Sequence, residues 1–516
     1  MENIKLKDLF LGNIDGIKES EEKGFENYFY TGNNYYNKLK KNEKKFIISG
    51  KKGTGKTILA KYFELQENKE GKISKLLTER DPILKILIEI KTIDINPEER
   101  DLLTEYIIIL EIANIINENR RKLFLNFSNF NLFYLFKILK ALKYINSIIK
   151  ERYKTSSYII ENITSEQYNR NEAELNINNN SMGGNLKKEV GNITKNNYIK
   201  NDYKNILNKL KKEVIYILKF ININLLFDDL DEYRKIRTEN EDLVDFLNSF
   251  IKISNSLNSE FLKSKNKKGR SRIIILLRSD IIKFLNNNSS NLNKIIADAQ
   301  IKLNWRENSD EKKTSPLIDM IITKIKNSSY ELKNKSSKEI LDNYFPKNVY
   351  SYPFEKFLKN YSFGRPRDII FMLNCIKEEY GDSENFEENY FYKTSLSYAE
   401  HIIGEIRNEM HFFYDNNKIE EYFYILEKMD KYKFTFLDVK NFFEKNKFLL
   451  SPEEFCEIGY QFGIIGNSWN KKKGKGRIFS WVYDENSTGK PNYNYDFEIH
   501  YSIAKKLLGN TPIFKK

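Results

Sequence analysis

The residues best suited to chemistry lie in one short stretch, FIISGKKGTGKT at positions 46–57. Apolar β-forming residues lead into glycine, any four residues, glycine, lysine and threonine, and an amphipathic stretch follows at once. Glycines let the backbone wrap around phosphate oxygens, and the positive end of the following helix favours the same anion. The stretch therefore predicts a phosphate-binding strand, loop and helix, with Lys56 on the β and γ phosphates and the Thr57 hydroxyl on magnesium. The residues expected to contact the nucleotide are Gly50, Lys51, Lys52, Gly53, Thr54, Gly55, Lys56, Thr57 and Ile58.

A cluster of acids, in LLFDDLDE, ends another apolar stretch. Asp228 is expected to hold the magnesium ion, normally through water and together with Thr57. A neighbouring carboxylate must then orient or deprotonate the attacking water. Asp229 is the first candidate for this base, and Asp231 and Glu232 compete with it. Carboxylates also suit a helix N-terminus on electrostatic grounds alone, so these roles depend on the loop upstream.

Arginines occur at two further places where a phosphate can be contacted. The apolar stretch SRIIILLRSD ends in Arg278, and in proteins with an extra strand between the loop strand and the acid strand, a polar residue there contacts the γ-phosphate. In SFGRPRD, Pro366 begins a helix with Arg365 and Arg367 at its first turn. A helix N-terminus favours anions, so arginines there are expected to face one, and nucleotide phosphate is the obvious choice. The alternative for each arginine is a solvated or acid-paired side chain.

These residues need an α/β fold to position them. The predicted strands cover residues 46–48, 83–91, 221–232, 271–280 and 299–305. With helices between them they predict a parallel five-stranded sheet of the P-loop NTPase type, covered on both faces. Right-handed crossovers place all the carboxyl ends of the strands at one edge, where a nucleotide binds.

The length of 516 residues is too great for one ordinary domain. The predicted parts are a lead-in segment at 1–36, an ATPase core at 37–311, a helical lid at 312–413 and a winged-helix-like domain at 414–516. A helical insertion covers about 100–220 of the core and includes a polar, Asn-rich loop at 169–202. The last domain is expected to have three helices and a two-stranded wing formed by RIFSWVYDE and NYDFEIHYSIAKKLL. Such modules bind DNA or serve only as protein contacts.

Composition narrows the remaining classes of protein. A hydrophobic fraction of 40% allows a sizeable core, and the net charge of +14 permits an anionic partner without requiring one. The best cue for DNA contact is a basic run in the predicted wing. It contains Lys471, Lys472, Lys473, Lys475 and Arg477.

The location of the protein is predicted from what the sequence lacks. Two cysteines without a CxxC spacing argue against a disulfide framework or a cysteine zinc site, and fit a reducing cytoplasm. The first residues lack the apolar centre of a signal peptide, and no apolar run is long enough for a bilayer. We therefore expect a cytoplasmic protein with no membrane association.

In their order along the chain, GKKGTGKT, LLFDDLDE, IILLRSDI and GRPRDII resemble the prokaryotic P-loop ATPases related to the STAND and KAP branches of the AAA+ class. Within that group, the chain is similar to a bacterial family with an FGN-type lead-in, a DDLDE cluster and a GIIGN segment. Here these read LFLGNIDGIKESE, LLFDDLDE and GIIGN at 463–467. The insertion is too polar for the membrane helices of KAP members, and no repeat array follows the core as in many STAND proteins.

The resemblance implies an ASCE/AAA+-like fold with ATP and Mg²⁺ as cofactors. It makes Arg278 a sensor-1-like residue and Arg367 a sensor-2-like residue. It also implies a regulatory or defence role, including defence against phage, with self-association or an effector protein as further partners.

The leading hypothesis is therefore an ATPase that acts as a nucleotide-dependent switch. One alternative is a DNA-acting ATPase that grips duplex with its C-terminal domain, and another is a module that binds nucleotide without turnover. The chain has no NKxD tetrapeptide of Ras-like GTPases and no LSGGQ-like sequence of ABC ATPases, which argues against membership of either class.

Overall fold

The computed structural model describes residues 4–91, 97–125, 132–152, 206–230, 240–265, 269–288, 292–306, 315–471, 476–483 and 489–509. The chain forms two compact units. The sheet unit comprises Tyr35–Gly50 and Leu59–Lys302. The loop unit comprises Met1–Asn34, Lys51–Ile58 and Leu303–Lys516. Among the described residues, no helix is both long enough and apolar enough to cross a membrane.

The secondary structure is numbered in chain order. The strands are β1 (Ile47–Gly50), β2 (Ile73–Leu77), β3 (Ile223–Phe227), β4 (Arg272–Arg278), β5 (Gln300–Lys302), β6 (Asn348–Val349), β7 (Tyr352–Pro353), β8 (Lys433–Phe434), β9 (Ile465–Asn470), β10 (Arg477–Ser480) and β11 (Asp496–Ile499). The helices are α1 (Gly16–Glu21), α2 (Phe25–Tyr28), α3 (Tyr35–Lys41), α4 (Lys56–Lys69), α5 (Pro82–Lys91), α6 (Pro97–Glu118), α7 (Arg120–Leu125), α8 (Leu132–Arg152), α9 (206–217), α10 (Asn240–Phe261), α11 (Ser279–Asn288), α12 (Leu292–Ala299), α13 (Pro316–Lys326), α14 (Tyr330–Lys333), α15 (Ser337–Tyr344), α16 (Phe354–Tyr361), α17 (Pro366–Glu379), α18 (Glu388–Lys393), α19 (Ser395–Met410), α20 (Asn416–Met429), α21 (Phe436–Glu444), α22 (Pro452–Gln461) and α23 (Tyr501–Leu508).

The sheet unit is built on five parallel strands in the order β2-β3-β4-β1-β5. Strands β1, β3 and β4 are buried at every position, as expected for parallel strands that are covered on both faces. The predicted parallel five-stranded sheet is confirmed. Strand β4 pairs with both β1 and β3, so the extra strand lies where the sequence predicted it, between the loop strand and the acid strand.

The predicted strand at 83–91 is wrong, because these residues form helix α5. The second strand of the sheet is β2, which pairs in register with β3 from Ile73 to Leu77. Asp81 and Pro82 explain the difference. The Asp81 carboxylate accepts the Thr78 N–H at 2.8 Å, and Pro82 has the backbone angle and the missing donor that suit a first helical position. The buried apolar residues that follow then recur at helical spacing.

The described part of the predicted insertion is helical, in α6 to α9. Its Asn-rich loop at 169–202 lies outside the described residues. The region predicted as a helical lid contains α13 to α19, but it also includes the small antiparallel hairpin of β6 and β7, which the all-helical prediction missed.

The C-terminal residues of the loop unit contain a four-stranded antiparallel sheet in the order β10-β9-β11-β8. The predicted pairing of two strands as a wing is wrong, because β9 lies between β10 and β11. Gly463, with φ of +71°, follows α22 and ends it, so the next residues are free to form β9. The predicted last strand stops at Ile499, because the His500 side chain accepts the Ser502 N–H and caps α23.

One hydrophobic core runs through the loop unit. Buried residues of the lead-in, the helical region and the C-terminal elements belong to the same cluster, from Leu6 to Leu507. These three parts of the sequence are therefore packed as a single body of structure inside that unit.

Candidate phosphate-binding site

Two glycines of the glycine-rich loop adopt a backbone conformation that other residues rarely take. Gly53 and Gly55 have φ of +80° and +89°, a region that favours glycine. The Thr54 N–H and hydroxyl both donate to the Lys51 carbonyl, at 3.3 and 2.7 Å. The Lys56 ammonium is 3.5 Å from the same carbonyl, so it is folded back over the loop. Helix α4 begins at this lysine.

Two groups of the loop unit hold the loop carbonyls from outside. The Trp305 indole N–H donates to the Thr54 carbonyl at 2.8 Å, and the Arg367 backbone N–H donates to the Gly53 carbonyl at 3.3 Å. In a trans peptide the C=O and N–H point in opposite directions. Because the Thr54 carbonyl faces Trp305, the Gly55 N–H points to the other side of the loop, as an anion-binding backbone requires.

The surroundings of the two left-handed glycines would crowd a larger residue. A Cβ added at Gly53 would lie 3.1 Å from the Cβ of Arg367, and one added at Gly55 would lie 3.3 Å from Ile58 Cγ2. The glycine spacing thus serves both the left-handed backbone and a close approach to the first turn of α17.

Arg365 and Arg367 lie at that first turn, as predicted, but the anions that they meet are carboxylates. Arg365 is buried, with Nε 2.8 Å from Asp368 Oδ2 and Nη1 2.8 Å from Glu409 Oε1. Burial alone would lower its pKa, but the two acids outweigh this effect and raise the pKa above its ordinary value. For Arg365 the acid-paired alternative therefore describes the structure.

Arg367 has fewer carboxylate partners than Arg365 and is more exposed. Its Nη1 is 3.0 Å from Glu405 Oε2, and its side chain is 25% exposed. Its Nε is buried without a hydrogen-bond partner among the described residues. Nothing in the sequence identified Glu405 or Glu409 as partners, since they follow their arginines by 38 and 44 residues.

An aromatic ring of the C-terminal elements also contacts the loop. The Lys51 ammonium lies 5.4 Å from the centre of the Tyr483 ring, and the Arg306 guanidinium carbon lies 4.7 Å from it. Both distances are typical of cation–π contacts. Nothing in the sequence pattern points to Tyr483, because it follows an ordinary-looking strand.

In the sheet unit, three predicted site residues end neighbouring strands at the same edge. Gly50 and Arg278 are paired in register across β1 and β4. Asp228 directly follows β3, is 4% exposed, and donates its N–H to Leu77 O at 3.0 Å. Its Oδ1 accepts the Asp229 N–H at 3.0 Å, and Asp229 itself has an unusual φ of +61°.

The other predicted groups near this edge are placed only in part. The Arg278 Nε lies 3.2 Å from Oδ1 of Asp280, two residues further on, so a local carboxylate holds its guanidinium. Asp231 and Glu232 lie outside the described residues, and the choice of base among the acids stays a prediction.

The residue types fit a magnesium nucleotide. A glycine cradle that an added Cβ would crowd suits phosphate oxygens. The Thr57 hydroxyl and the buried Asp228 carboxylate are the oxygen donors that Mg²⁺ prefers. Among the described residues no group of three or more His, Cys, Asp or Glu side chains could hold a metal by itself.

Of the predicted DNA-contact residues, the structure describes Lys471, which directly follows β9, and Arg477, which begins β10. Lys472, Lys473 and Lys475 are outside the described residues. Arg477 is ion-paired with the buried Glu498, so its guanidinium group already has a partner within the C-terminal sheet. The third helix of the predicted winged-helix order is α22, and its exposed positions include the acids Glu453, Glu454 and Glu457.

Comparison with protein-family models gives no match, and comparison with the sequences of curated proteins gives none either.

Proposed function

We propose that the chain is a Mg²⁺-dependent ATPase that works as a nucleotide-controlled switch. The observation that carries this proposal is the loop after β1, with two left-handed glycines and the Lys56 ammonium folded over it. The strand order supports it, because β4 separates the loop strand from the strand that Asp228 follows. Resemblance of the motifs to STAND and KAP-related ATPases adds the expectation of a regulatory or defence role.

Residues of the loop, of the sheet edge and of α17 have separate roles in the hydrolysis that we propose. Lys56 neutralises charge on the β and γ phosphates, and Thr57 and Asp228 hold the metal. Bound magnesium would neutralise charge on the same phosphate oxygens. Asp229 orients a water molecule or takes its proton as the water attacks the γ-phosphorus in line. The bond to the β–γ bridging oxygen breaks, and ADP and phosphate leave; Arg278 and Arg367 supply further positive charge.

The contacts of the loop favour a switch over a passive binding module. The first turn of α17 donates a hydrogen bond to Gly53, and Tyr483 lies against Lys51. A rearrangement of the loop around phosphate would therefore act on the helical region and on the C-terminal elements at once. Self-association and an effector protein are the partners that such a switch would use.

The test is ATP turnover and binding by purified Lys56→Ala. We expect phosphate release to fall by about 100-fold or more, as when one preorganised positive group is removed from a reacting centre. Lys61→Ala is the matched control, because Lys61 lies on the same helix and pairs with Glu64. An unchanged rate in Lys56→Ala would contradict the mechanism, and ATP binding without turnover by the wild type would identify a non-hydrolysing module instead.

A further inference from the structure

Glu405 is the carboxylate that occupies Arg367. It lies on α19, its side chain is 16% exposed, and its Oε2 is 3.0 Å from Arg367 Nη1. The same arginine is fixed to the loop through its backbone, because its N–H donates to the Gly53 carbonyl. A negative charge is thus held against an arginine whose main chain is hydrogen-bonded to the phosphate-binding loop.

The charge of Lys52, in the loop, also acts on Glu405. Burial alone would raise the pKa of its carboxyl group, but the positive charges of Arg367, Lys52 and Arg365 lower it below the ordinary value. Glu405 is therefore ionised at neutral pH. The three cations Arg367, Lys52 and Arg365 all belong to the set that the sequence predicts to contact nucleotide, so the charge of Glu405 acts on that set.

The pair differs from its neighbour, the pair of Arg365 and Glu409. Arg365 is 3% exposed and has two carboxylates, Asp368 and Glu409, at 2.8 Å. Arg367 has one carboxylate, is partly exposed, and keeps its Nε without a hydrogen-bond partner among the described residues. The two carboxylates of Arg365 hold it as part of the fixed structure. Arg367 has a single carboxylate partner and is partly exposed, so another anion can replace that partner more easily.

We propose that Glu405 competes with the terminal phosphate of the nucleotide for Arg367: its carboxylate pairs with this arginine until phosphate displaces it. The inference depends on the proposed function. Carboxylate and phosphate oxygens are alternative partners of a guanidinium group. When only part of a population is free to bind, the apparent affinity falls by that fraction. Glu405 therefore sets the ATP concentration at which the switch responds.

The experiment is equilibrium titration of full-length protein with ATP and Mg²⁺. Glu405→Gln keeps the size of the side chain and removes its charge, and we expect it to bind ATP about tenfold more tightly. Glu405→Asp keeps the charge but shortens the side chain, so we expect a smaller gain from it. Glu400→Gln is the matched control, because Glu400 lies on the same helix and pairs with Lys506 through an exposed ion pair. It should bind ATP like the wild type.

A double-mutant cycle with Arg367→Gln shows whether the gain acts through the arginine. We expect most of the effect of Glu405→Gln to disappear in that background. Equal or weaker ATP binding by the Glu405 variants, in a protein whose wild type binds ATP, overturns the inference and leaves the proposed function standing. A gain that persists undiminished with Arg367→Gln also overturns it. If neither the wild type nor Glu405→Gln binds ATP, both the inference and the proposed function fall.

Discussion

His500 shows how burial sets the chemistry of a single residue in the loop unit. Its ring is fully buried and stacks on Phe363, with ring centres 4.2 Å apart. Its Nδ1 accepts the Ser502 N–H at 3.3 Å, so the proton of the neutral ring belongs on Nε2. Burial, together with the charges of Arg306 and Arg365, lowers its pKa well below the ordinary value of 6.5. The native protein keeps this histidine neutral.

The stability of the protein should therefore depend on pH through His500. Below pH 6.5, the ordinary pKa of histidine, His500 binds a proton in the unfolded chain but stays neutral in the native protein. The free energy of unfolding therefore falls as the pH drops. The loss approaches about 1.4 kcal/mol for each pH unit in that window. Thermal unfolding between pH 7.5 and 5.5 measures it. His500→Asn keeps a helix cap and should flatten the slope, whereas an unchanged slope would contradict the assignment.

At this scale the sequence predicted local geometry well and distant partners poorly. The left-handed glycines and the placement of Arg367 at a helix start both follow from spacing within a few residues. Glu405 meets Arg367 only because helices α17 and α19 pack together. Such packing leaves no trace in the spacing of the sequence, so the acid that shares the site could not be found there.

At the scale of elements, the charge of α22 determines how well the C-terminal elements suit DNA. Its exposed positions include Glu453, Glu454 and Glu457, while Ser451 caps it with a reciprocal bond to Glu454. A helix that reads duplex normally brings positive charge to the phosphates. The acids of α22 would instead repel them, and this counts against the DNA-acting alternative.

We accordingly expect ATP turnover to be independent of duplex DNA. Phosphate release should change by less than about twofold when DNA is added at low salt, where binding to phosphates is strongest. Neutralising Lys471 and Arg477, at the two ends of the basic run, should not alter the rate through DNA. Salt-sensitive duplex binding that stimulates turnover, and is lost in that variant, would restore the DNA-acting alternative.

The mispredicted helix α5 and the missed strand β2 each have a local cause. The stretch ILKILIEIK satisfies both alternating and helical patterns, and the turn formed at Asp81 and Pro82 decides for the helix. The true second strand, ISKLL, is only five residues long and follows a glycine and a lysine, so it gives little signal. By contrast, β3 and β4 were predictable because long runs of Ile and Leu are typical of strands buried on both faces.

At the scale of the whole molecule, the loop unit joins distant parts of the chain through a buried ion pair. Glu19 is 1% exposed and pairs with Lys324, which is 3% exposed. The second oxygen of Glu19 accepts the Asn13 N–H at 2.9 Å. Gly12 precedes it with φ of +101°, and a Cβ there would lie 2.7 Å from the same oxygen. This contact explains the glycine and the glutamate of the lead-in segment.

Removing one partner of that pair should destabilise the protein strongly. Glu19→Gln leaves the Lys324 charge buried without compensation, and we expect a loss of about 3–5 kcal/mol in the free energy of unfolding. Glu19→Gln combined with Lys324→Met removes both charges and should recover most of that loss. Denaturant unfolding of the single and double variants measures it. A double variant no more stable than Glu19→Gln would contradict the role of the pair.

The hydrogen bond between Trp305 and the loop has a practical consequence. Trp305 is one of three tryptophans in the chain, is 8% exposed, and donates its indole N–H directly to the Thr54 carbonyl. Indole emission is sensitive to the dipoles and hydrogen bonds around the ring. The glycine-rich loop is therefore hydrogen-bonded to an intrinsic fluorophore, through which changes at the loop can be followed optically in the unlabelled protein.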